Sequence, residues 1–252
     1  MNKVALITGI NGQDGSYLAE FLLEKGYEIW GTVKRNSVAE NQTARISNEV
    51  FNNINLEYAD LNDLSSLIRV IQLAKPTEVY NLAAQSHVRI SFDQPIYTAQ
   101  TTGIGTLNLL EAIKLTDINI KMYQASSSEM FGNSIDDDGF QRETTPLIPV
   151  SPYGCAKVFA HNICRNYKNS YGMYISNGIL FNHESPRRGT NFVTNKVVKA
   201  AVQIKKGLKT SLALGNLEAT RDWGHAKDYV EAMWLILQQD SPDDYVCATG
   251  TS

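Results

Sequence analysis

Two side chains that could act on one proton, those of Tyr153 and Lys157, lie four positions apart in the sequence. They follow Ser151 and Pro152, and because serine favours the N-cap and proline the first helical position, this stretch predicts the start of a helix. Positions i and i+4 share one face of a helix, so the phenol and the ammonium can reach a common site. An exposed pair on an amphipathic helix has the same spacing, so the pair does not by itself establish chemistry.

A second polar stretch, 124–132, follows a strand-like apolar run and contains the hydroxyl of Ser127 and the carboxylate of Glu129. Serines at a strand end often only cap a loop, and a single glutamate nearby is usually solvated. Beside a phenol and an amine, however, a carboxylate is a candidate general acid and base.

A glycine-rich turn follows the first strand-like run and precedes a helical pattern, with the spacing G-x-x-G-x-x-G. Such a turn lets backbone amides approach a pyrophosphate at a helix N-terminus. An ordinary glycine-rich turn remains an alternative, but the position between strand and helix favours a dinucleotide site. The candidate cofactor-binding residues here are Gly9, Asn11, Gly12, Gln13, Asp14 and Gly15.

The end of the second strand-like run distinguishes the two nicotinamide cofactors. A carboxylate there would bind the ribose 2′-hydroxyl of NAD, whereas this chain has Lys34 and Arg35. A guanidinium pairs well with a 2′-phosphate, so we expect NADP, with Arg35 as the main contact and Asn36 and Ser37 beside it. Residues at the next two strand ends are expected to border the adenine, ribose and nicotinamide: Asp60, Leu61, Leu82, Ala83, Ala84, Gln85 and Ser86.

Short apolar runs alternate with segments of helical periodicity along most of the chain. The strand-like runs are 4–7, 28–33, 55–59, 78–82, 120–125, 174–181 and 244–248, and the helical patterns are 17–23, 63–74, 98–115, 152–170 and 192–206. This alternation predicts an α/β fold of the Rossmann type, a doubly wound parallel sheet with helices on both faces. In such a sheet ligands bind beyond the carboxyl ends of the strands, where the motifs above fall.

Composition excludes several classes of protein. The chain has 252 residues and a net charge of -3, which argues against a nucleic-acid binder with a basic face. It has no apolar run long enough for a membrane span. Its four histidines are scattered, so we expect no metal site. Its three cysteines, Cys155, Cys164 and Cys247, are predicted to be reduced thiols in the cytoplasm.

Taken together, the motifs resemble those of the extended short-chain dehydrogenase/reductase family. The glycine turn, the run 126–129, the stretch 151–157, and the segments 180–189, 191–194 and 221–229 are most similar to its GDP-mannose 4,6-dehydratase branch. The resemblance implies that Ser127, Glu129, Tyr153 and Lys157 are catalytic. It also implies that Tyr97, His183 and Arg188 contact the cofactor, as Lys157 does. Implied substrate contacts are Ser86, Glu129, Asn182, Asn191, Lys196 and Arg221.

The activity implied by the resemblance is NADP-dependent dehydration of GDP-mannose to a 4-keto-6-deoxy sugar. The alternatives are another nucleotide-sugar dehydratase or epimerase of this fold, and an NADP-binding module without turnover. The resemblance further implies a homodimer or homotetramer, with the loop after Arg35 reaching a neighbouring subunit. We expect an NADP-binding domain over residues 1–181 and a partial substrate-binding region, interleaved with it, over 182–252. Members of that branch continue beyond this chain, so we expect cofactor binding to persist more readily than turnover.

Overall fold

The computed structural model describes residues 3–37, 43–215, 217–218 and 220–251. Seven strands form one parallel sheet in the order β3-β2-β1-β4-β5-β6-β9, and β7 and β8 pair separately. The strands are β1 Val4–Thr8, β2 Glu28–Val33, β3 Asn55–Tyr58, β4 Glu78–Asn81, β5 Lys121–Ser127, β6 Ile175–Leu180, β7 Asn182–Glu184, β8 Trp223–His225 and β9 Asp244–Cys247. From β1 the strand order continues to β2 and β3 on one side, and from β4 it continues to β5, β6 and β9 on the other. Because the order reverses between β1 and β4, a crevice opens at the carboxyl ends of these two strands.

Helices cover both faces of the sheet. They are α1 Gln13–Glu24, α2 Asn48–Phe51, α3 Leu64–Ala74, α4 Val88–Asp93, α5 Pro95–Thr98, α6 Gly105–Thr116, α7 Pro152–Tyr171, α8 Val193–Lys205 and α9 Ala226–Leu237. One core joins the sheet to α1 and α9 through residues such as Leu22 and Met233. The other joins it to α3, α6 and α7 through residues such as Val70, Leu109 and Cys164. The predicted doubly wound parallel sheet is confirmed.

Most predicted elements agree with the structure to within a few residues, because their apolar side chains are buried in these two cores. The predicted helix over 98–115 differs, since a π-helical turn at Ala99–Ile104 separates α5 from α6. Helices α2, α4, α9 and most of α5, and strands β7 and β8, were not predicted from the sequence.

Part of the region 182–252 returns to the sheet. Helix α9 packs in the same core as α1, and β9 pairs with β6 from Asn177↔Asp244 to Leu180↔Cys247. The division into two domains remains a prediction. Within the described ranges, no helix is both long and apolar enough to cross a membrane.

Candidate active site

A large cavity lies at the carboxyl ends of the parallel strands. Its volume is about 1160 Å³, slightly above the roughly 300–1,000 Å³ of most small-molecule sites. It extends from the glycine turn after β1, past the ends of β2 and β3, to the polar residues that follow β5 and β6. One cavity therefore joins the predicted dinucleotide site to the predicted catalytic residues.

The glycine turn delivers the N-terminus of α1 to this cavity. Gly12 is the N-cap and offers no side-chain cap, so the first amides of the helix keep their hydrogen-bonding capacity for a ligand. A Cβ on Gly15 would lie 2.5 Å from the Gly9 carbonyl oxygen, so only glycine permits this close turn. The donor set therefore fits a pyrophosphate.

The carboxylate of Asp14 and the imidazole of His183 form a partly buried ion pair at the edge of the cavity. His183 Nε2 lies 2.9 Å from Asp14 Oδ2, and its Nδ1 lies 2.8 Å from the Phe181 carbonyl oxygen. Because both ring nitrogens face acceptors, the imidazolium satisfies both contacts. Burial disfavours its charge, yet the Asp14 carboxylate raises the pKa of His183 above its ordinary value. The partner's charge and hydrogen bond lower the pKa of Asp14 despite its burial.

The end of β2 carries two cations that differ in their surroundings. Lys34 Nζ lies 3.0 Å from Asp60 Oδ2, a carboxylate that follows β3. It also lies 3.5 Å from the Tyr97 hydroxyl. Arg35 is exposed, lines the cavity and makes no ion pair within the described ranges. Asp60 thus offsets the charge of Lys34 and leaves Arg35 as the cation available to an anionic ligand.

Helix α7 positions the phenol and the amine. Its N-cap is Ser151, whose Oγ accepts a hydrogen bond from the Gly154 amide at 3.0 Å, and Pro152 is its first residue, as predicted. A Cβ on Gly154 would lie 2.7 Å from the Glu129 carbonyl oxygen. The glycine therefore lets the first turn of α7 pack directly on the segment that carries Glu129, which brings Tyr153 beside it.

Lys157 is anchored to the strand that carries Ser127. Its Nζ donates a hydrogen bond to the Ala125 carbonyl oxygen at 2.6 Å and lies 5.8 Å from the centre of the Tyr153 ring. Burial lowers the pKa of Lys157 to about 8, so the amine still carries its charge at neutral pH.

The phenol of Tyr153 is hard to ionise in the folded protein because it is buried. In the structure, burial foremost and also the charge of Glu129 raise the pKa of Tyr153 to about 12, while the neighbouring Ser127 hydroxyl and the charge of Arg188 lower it. The surroundings therefore favour the neutral phenol, and positive charge from a bound cofactor would favour its ionisation.

Ser127 is the last residue of β5, and Glu129 lies in the turn that follows. Ser127 Oγ accepts a hydrogen bond from the Glu129 amide at 3.2 Å and caps the short 3₁₀ turn Ser128–Met130. The capping role that the sequence left open for this serine therefore coexists with its place in the lining of the cavity. Both side chains line the cavity that Tyr153 and Lys157 also line. The four side chains meet at one place, where a hydroxyl and a neighbouring C–H of a ligand could be deprotonated in turn.

Most of the predicted site residues line the cavity. They are Gly9, Asn11, Gly12, Gln13, Asp14, Gly15, Arg35, Asn36, Ser37, Asp60, Leu61, Leu82, Ala83, Ala84, Ser86, Tyr97, Ser127, Glu129, Tyr153, Lys157, Asn182, His183, Arg188 and Asn191. The guanidinium of Arg188 lies 3.7 Å from the centre of the Phe192 ring, and its Nε is 3.3 Å from Glu184 Oε1.

Gln85, Lys196 and Arg221 do not line the cavity. The Gln85 amide bonds to the His87 carbonyl oxygen at 3.1 Å and to Thr98 Oγ1 at 3.0 Å, so it braces the loop after β4. Lys196 Nζ donates to the Ala213 carbonyl oxygen at 2.9 Å, and Arg221 donates to that of Thr220 at 2.7 Å. Their roles in substrate binding remain predictions. The loop predicted to reach a neighbour after Arg35 includes residues 38–42, which lie outside the described residues.

Several lining residues escaped the sequence analysis. Arg45 donates to the Arg187 carbonyl oxygen at 2.8 Å and to that of Asn11 at 3.3 Å, which ties the glycine turn to the segment after β7. Ser126 also lines the cavity, and its position in the polar run 124–132 was the signal for it in the sequence. His87 lines the cavity and caps α4, but nothing in its sequence context marks it.

The family profile that matches this chain and the relatives of high sequence identity carry the same family name. A sequence profile for GDP-mannose 4,6 dehydratase matches residues 6–252. The chain is 55% identical over 257 residues to the GDP-mannose 4,6 dehydratase of Cricetulus griseus, covering 98% of this chain and 68% of that protein. It is 55% identical over 262 residues to GDP-mannose 4,6 dehydratase 1 of Arabidopsis thaliana, covering 99% of this chain and 71% of that protein.

Solved structures share the fold at lower sequence identity. UDP-glucose 4-epimerase of Thermus thermophilus in complex with NAD has a TM-score of 0.83 and 26% identity, covering 98% of this chain and 78% of that one. dTDP-glucose 4,6-dehydratase of Bacillus anthracis in complex with NAD has a TM-score of 0.83 and 26% identity, covering 99% of this chain and 76% of that one. The sequence similarity is thus much higher to the GDP-mannose dehydratases than to these two structures.

Proposed function

The chain belongs to the GDP-mannose 4,6-dehydratase family, and from this premise we propose that it converts GDP-mannose to GDP-4-keto-6-deoxymannose with NADP as its cofactor. The observation that carries the proposal is the convergence of Ser127, Glu129, Tyr153 and Lys157 on one cavity beside the N-terminus of α1. Such a dehydration needs two proton-transferring groups. One is a base that takes the proton of the sugar hydroxyl, and the other takes a proton from carbon and gives it to the departing oxygen.

NADP is supported by the protein's own residues. The uncapped amides of α1 suit a pyrophosphate, and the exposed Arg35 suits a 2′-phosphate. The two solved neighbours were obtained with NAD, so the choice of NADP rests on Arg35. When bound in this cavity, NADP would supply the positive charge of its oxidised nicotinamide and an acceptor for the hydride of the sugar C4–H bond, which would be given back at carbon 6.

The first step is assigned to Tyr153, Ser127 and Lys157. Tyr153 takes the proton of the sugar 4-hydroxyl while the C4–H bond breaks. The Ser127 hydroxyl holds the same oxygen, and the Lys157 ammonium favours the phenolate. The products of this step are a 4-ketone and a protonated Tyr153.

The second step is assigned to Glu129. The ketone acidifies the C5–H bond, and Glu129 removes that proton and transfers it to the departing 6-hydroxyl, which leaves as water. When a hydride is added at carbon 6, a proton must be added at carbon 5. Tyr153 holds the proton that it took from the 4-hydroxyl, and returning it to carbon 5 restores the phenolate for the next turnover. Over the cycle the sugar loses one water, and the cofactor and both acids return to their starting forms.

Substrate contacts, assembly and location form part of the same proposal. Asn182 and Asn191 line the cavity and can bond the nucleotide-sugar, with Ser86 and Glu129 beside them. We assign a homodimer or homotetramer from the family resemblance. A cytoplasmic location suits the three free cysteines.

The test is to incubate the purified chain with NADP and GDP-mannose and to analyse the product by mass spectrometry. A product lighter by one water, with no net reduction of NADP, supports the dehydration. A product of unchanged mass supports an epimerase, and binding of NADP without product supports an idle cofactor-binding module. Either of these two outcomes overturns the proposal.

A further inference from the structure

One face of α7 carries polar residues at intervals of four beyond the catalytic pair. Lys157 is followed by His161 and Arg165, and each step of four residues advances about 6 Å along the helix. His161 is only 2% exposed. The helix face that carries Tyr153 and Lys157 therefore carries a buried polar residue one turn further on. The proposed reaction gives no role to this histidine.

His161 bonds to the residue between Ala125 and Ser127. Its Nδ1 lies 3.1 Å from Ser126 Oγ, and both groups are buried. On the strand, Lys157 holds the carbonyl oxygen of Ala125 and His161 holds the hydroxyl of the next residue. Two successive turns of α7 thus hold two successive residues of β5, immediately before Ser127.

The other side of the ring faces a carboxylate. His161 Nε2 lies 3.6 Å from Asp244 Oδ2, on β9, and Arg165 Nε lies 3.4 Å from the same oxygen. Asn177 on β6 donates to Asp244 Oδ1 at 2.7 Å. The nearest charged groups are therefore Asp244, Arg165 and Lys168. Burial foremost, with the two cations, lowers the pKa of His161 in spite of Asp244.

The carboxylate of Asp244 faces Nε2 at 3.6 Å, so it favours the neutral tautomer with the hydrogen on Nε2 and leaves Nδ1 bare. Nδ1 then accepts the hydroxyl hydrogen of Ser126. Ser126 also lines the cavity, so this bond fixes the direction of a hydroxyl at the site itself.

We propose that His161 is a positioning residue for the dehydration proposed above: through Ser126 it holds the end of β5 against α7 and so sets the distance between Ser127 and Tyr153. The inference rests on the proposed function. Without the bond, the Ser126 hydroxyl loses its partner, and the Lys157 contact with Ala125 is the remaining side-chain hydrogen bond, within the described residues, between α7 and this strand end. A shift of a fraction of an ångström at such a contact is enough to slow a proton transfer.

Two substitutions of His161 distinguish the role of its bond with Ser126 from that of its contact with Asp244. In His161→Asn the amide oxygen takes the place of Nδ1, so the bond from Ser126 is kept and the contact with Asp244 is lost. In His161→Gln the amide lies at the level of Nε2, so the Asp244 contact is kept and the Ser126 bond is lost. We expect His161→Gln to lower kcat about tenfold with little change in the KM for GDP-mannose, and His161→Asn to retain most of kcat.

Ser126→Ala removes the same bond from the other partner by a change too small to threaten folding. It should lower kcat as His161→Gln does, and the double variant should be no worse than either single one. Ser128→Ala is the matched control, because this hydroxyl lies two residues further on, does not line the cavity and should leave kcat unchanged.

The outcomes separate this inference from the function on which it rests. Absence of dehydrated product from the unchanged chain overturns the function and the inference together. Normal turnover that is insensitive to Ser126→Ala and His161→Gln overturns the inference alone. Equal losses in His161→Asn and His161→Gln also overturn it, because the role would then lie with Asp244 or with packing.

Discussion

Asp14, in the first turn of α1, and His183, in β7, form an ion pair of 2.9 Å although they lie 169 positions apart in the chain. Their contact joins the predicted phosphate turn to the segment that carries Asn182. Replacement of Asp14 by asparagine leaves a buried imidazole without its counter-charge. We expect Asp14→Asn to lower the free energy of unfolding by about 3 kcal/mol and to weaken NADP binding. Urea denaturation and a binding titration measure the two effects.

The pair also gives a pH dependence with a defined sign. The raised pKa of His183 stabilises the fold fully below its ordinary value of 6.5, and this contribution disappears as the pH rises through the folded value. The lowered pKa of Asp14 contributes fully above 3.8 and is lost as the pH falls through its folded value. The stability difference between the unchanged chain and Asp14→Asn should therefore be largest between these two values. Asp93→Asn, in an exposed pair with Arg89, should show little difference at any pH, and a similar curve for both variants would contradict the assignment.

Glu129→Gln tests the second proton transfer. The amide keeps the size of the side chain but cannot take a proton from carbon 5, so we expect dehydration to fall by about 10²–10⁴-fold. Binding of NADP, measured by a fluorescence titration of the reduced cofactor, should be unchanged. Glu24→Gln, on the exposed end of α1, is the control. Unchanged turnover in Glu129→Gln would remove this residue from the mechanism.

Arg35→Glu tests the choice of cofactor. The change replaces the exposed guanidinium by a carboxylate that repels a 2′-phosphate and can bond a 2′-hydroxyl, so the ratio of NADP to NAD affinity should fall by about 10- to 100-fold. Lys34→Gln should change this ratio less, because Asp60 already offsets the ammonium. If Lys34→Gln has the larger effect, Arg35 is not the main contact. The ratio is measured by competitive titration of the two cofactors.

Lys157→Met tests the energetic consequence of the buried amine. Burial lowers the pKa of Lys157 to about 8, which means that the folded protein carries this charge at a cost at pH 7. Removing the charge should raise the free energy of unfolding by about 3 kcal/mol. Losing the hydrogen bond to the Ala125 carbonyl oxygen offsets part of this increase. We expect a net gain of about 1–2 kcal/mol in the free energy of unfolding, with loss of dehydration.

The sign of the pH effect provides the check on this variant. Between pH 8 and the ordinary lysine value of 10.5 the unfolded chain binds more protons, so the unchanged protein gains stability as the pH rises. The advantage of Lys157→Met should therefore shrink over that range. Lys205→Met, at the exposed end of α8, should show no such trend. An advantage that grows with pH would contradict the assignment.

Local sequence was enough to predict the strands of the main sheet and most of the longer helices, and most of the predicted site residues line one cavity. The helix start at Ser151 and Pro152 was predicted correctly because a cap needs only neighbouring residues, and the strand 28–33 matches the structure because most of its residues after Glu28 are buried in the sheet. The π-helical turn at Ala99–Ile104 was not predictable, since helical periodicity barely changes across it. Gln85 illustrates the same limit, because a polar residue after a strand can face either a ligand or its own loop.

The sequence by itself determined the alternation of strands and helices, the glycine turn and the i, i+4 spacing of Tyr153 and Lys157, because periodicity, capping and helix geometry act over a few residues. Only the tertiary structure decided which charges meet. The Asp14–His183 pair, the offset of Lys34 by Asp60 and the bond from Ser126 to His161 join residues from separate strands and helices. Burial likewise raises the pKa of Tyr153 to about 12. The pKa and charge of a group depend on its whole surroundings, and these exist only once the sheet has brought distant segments together.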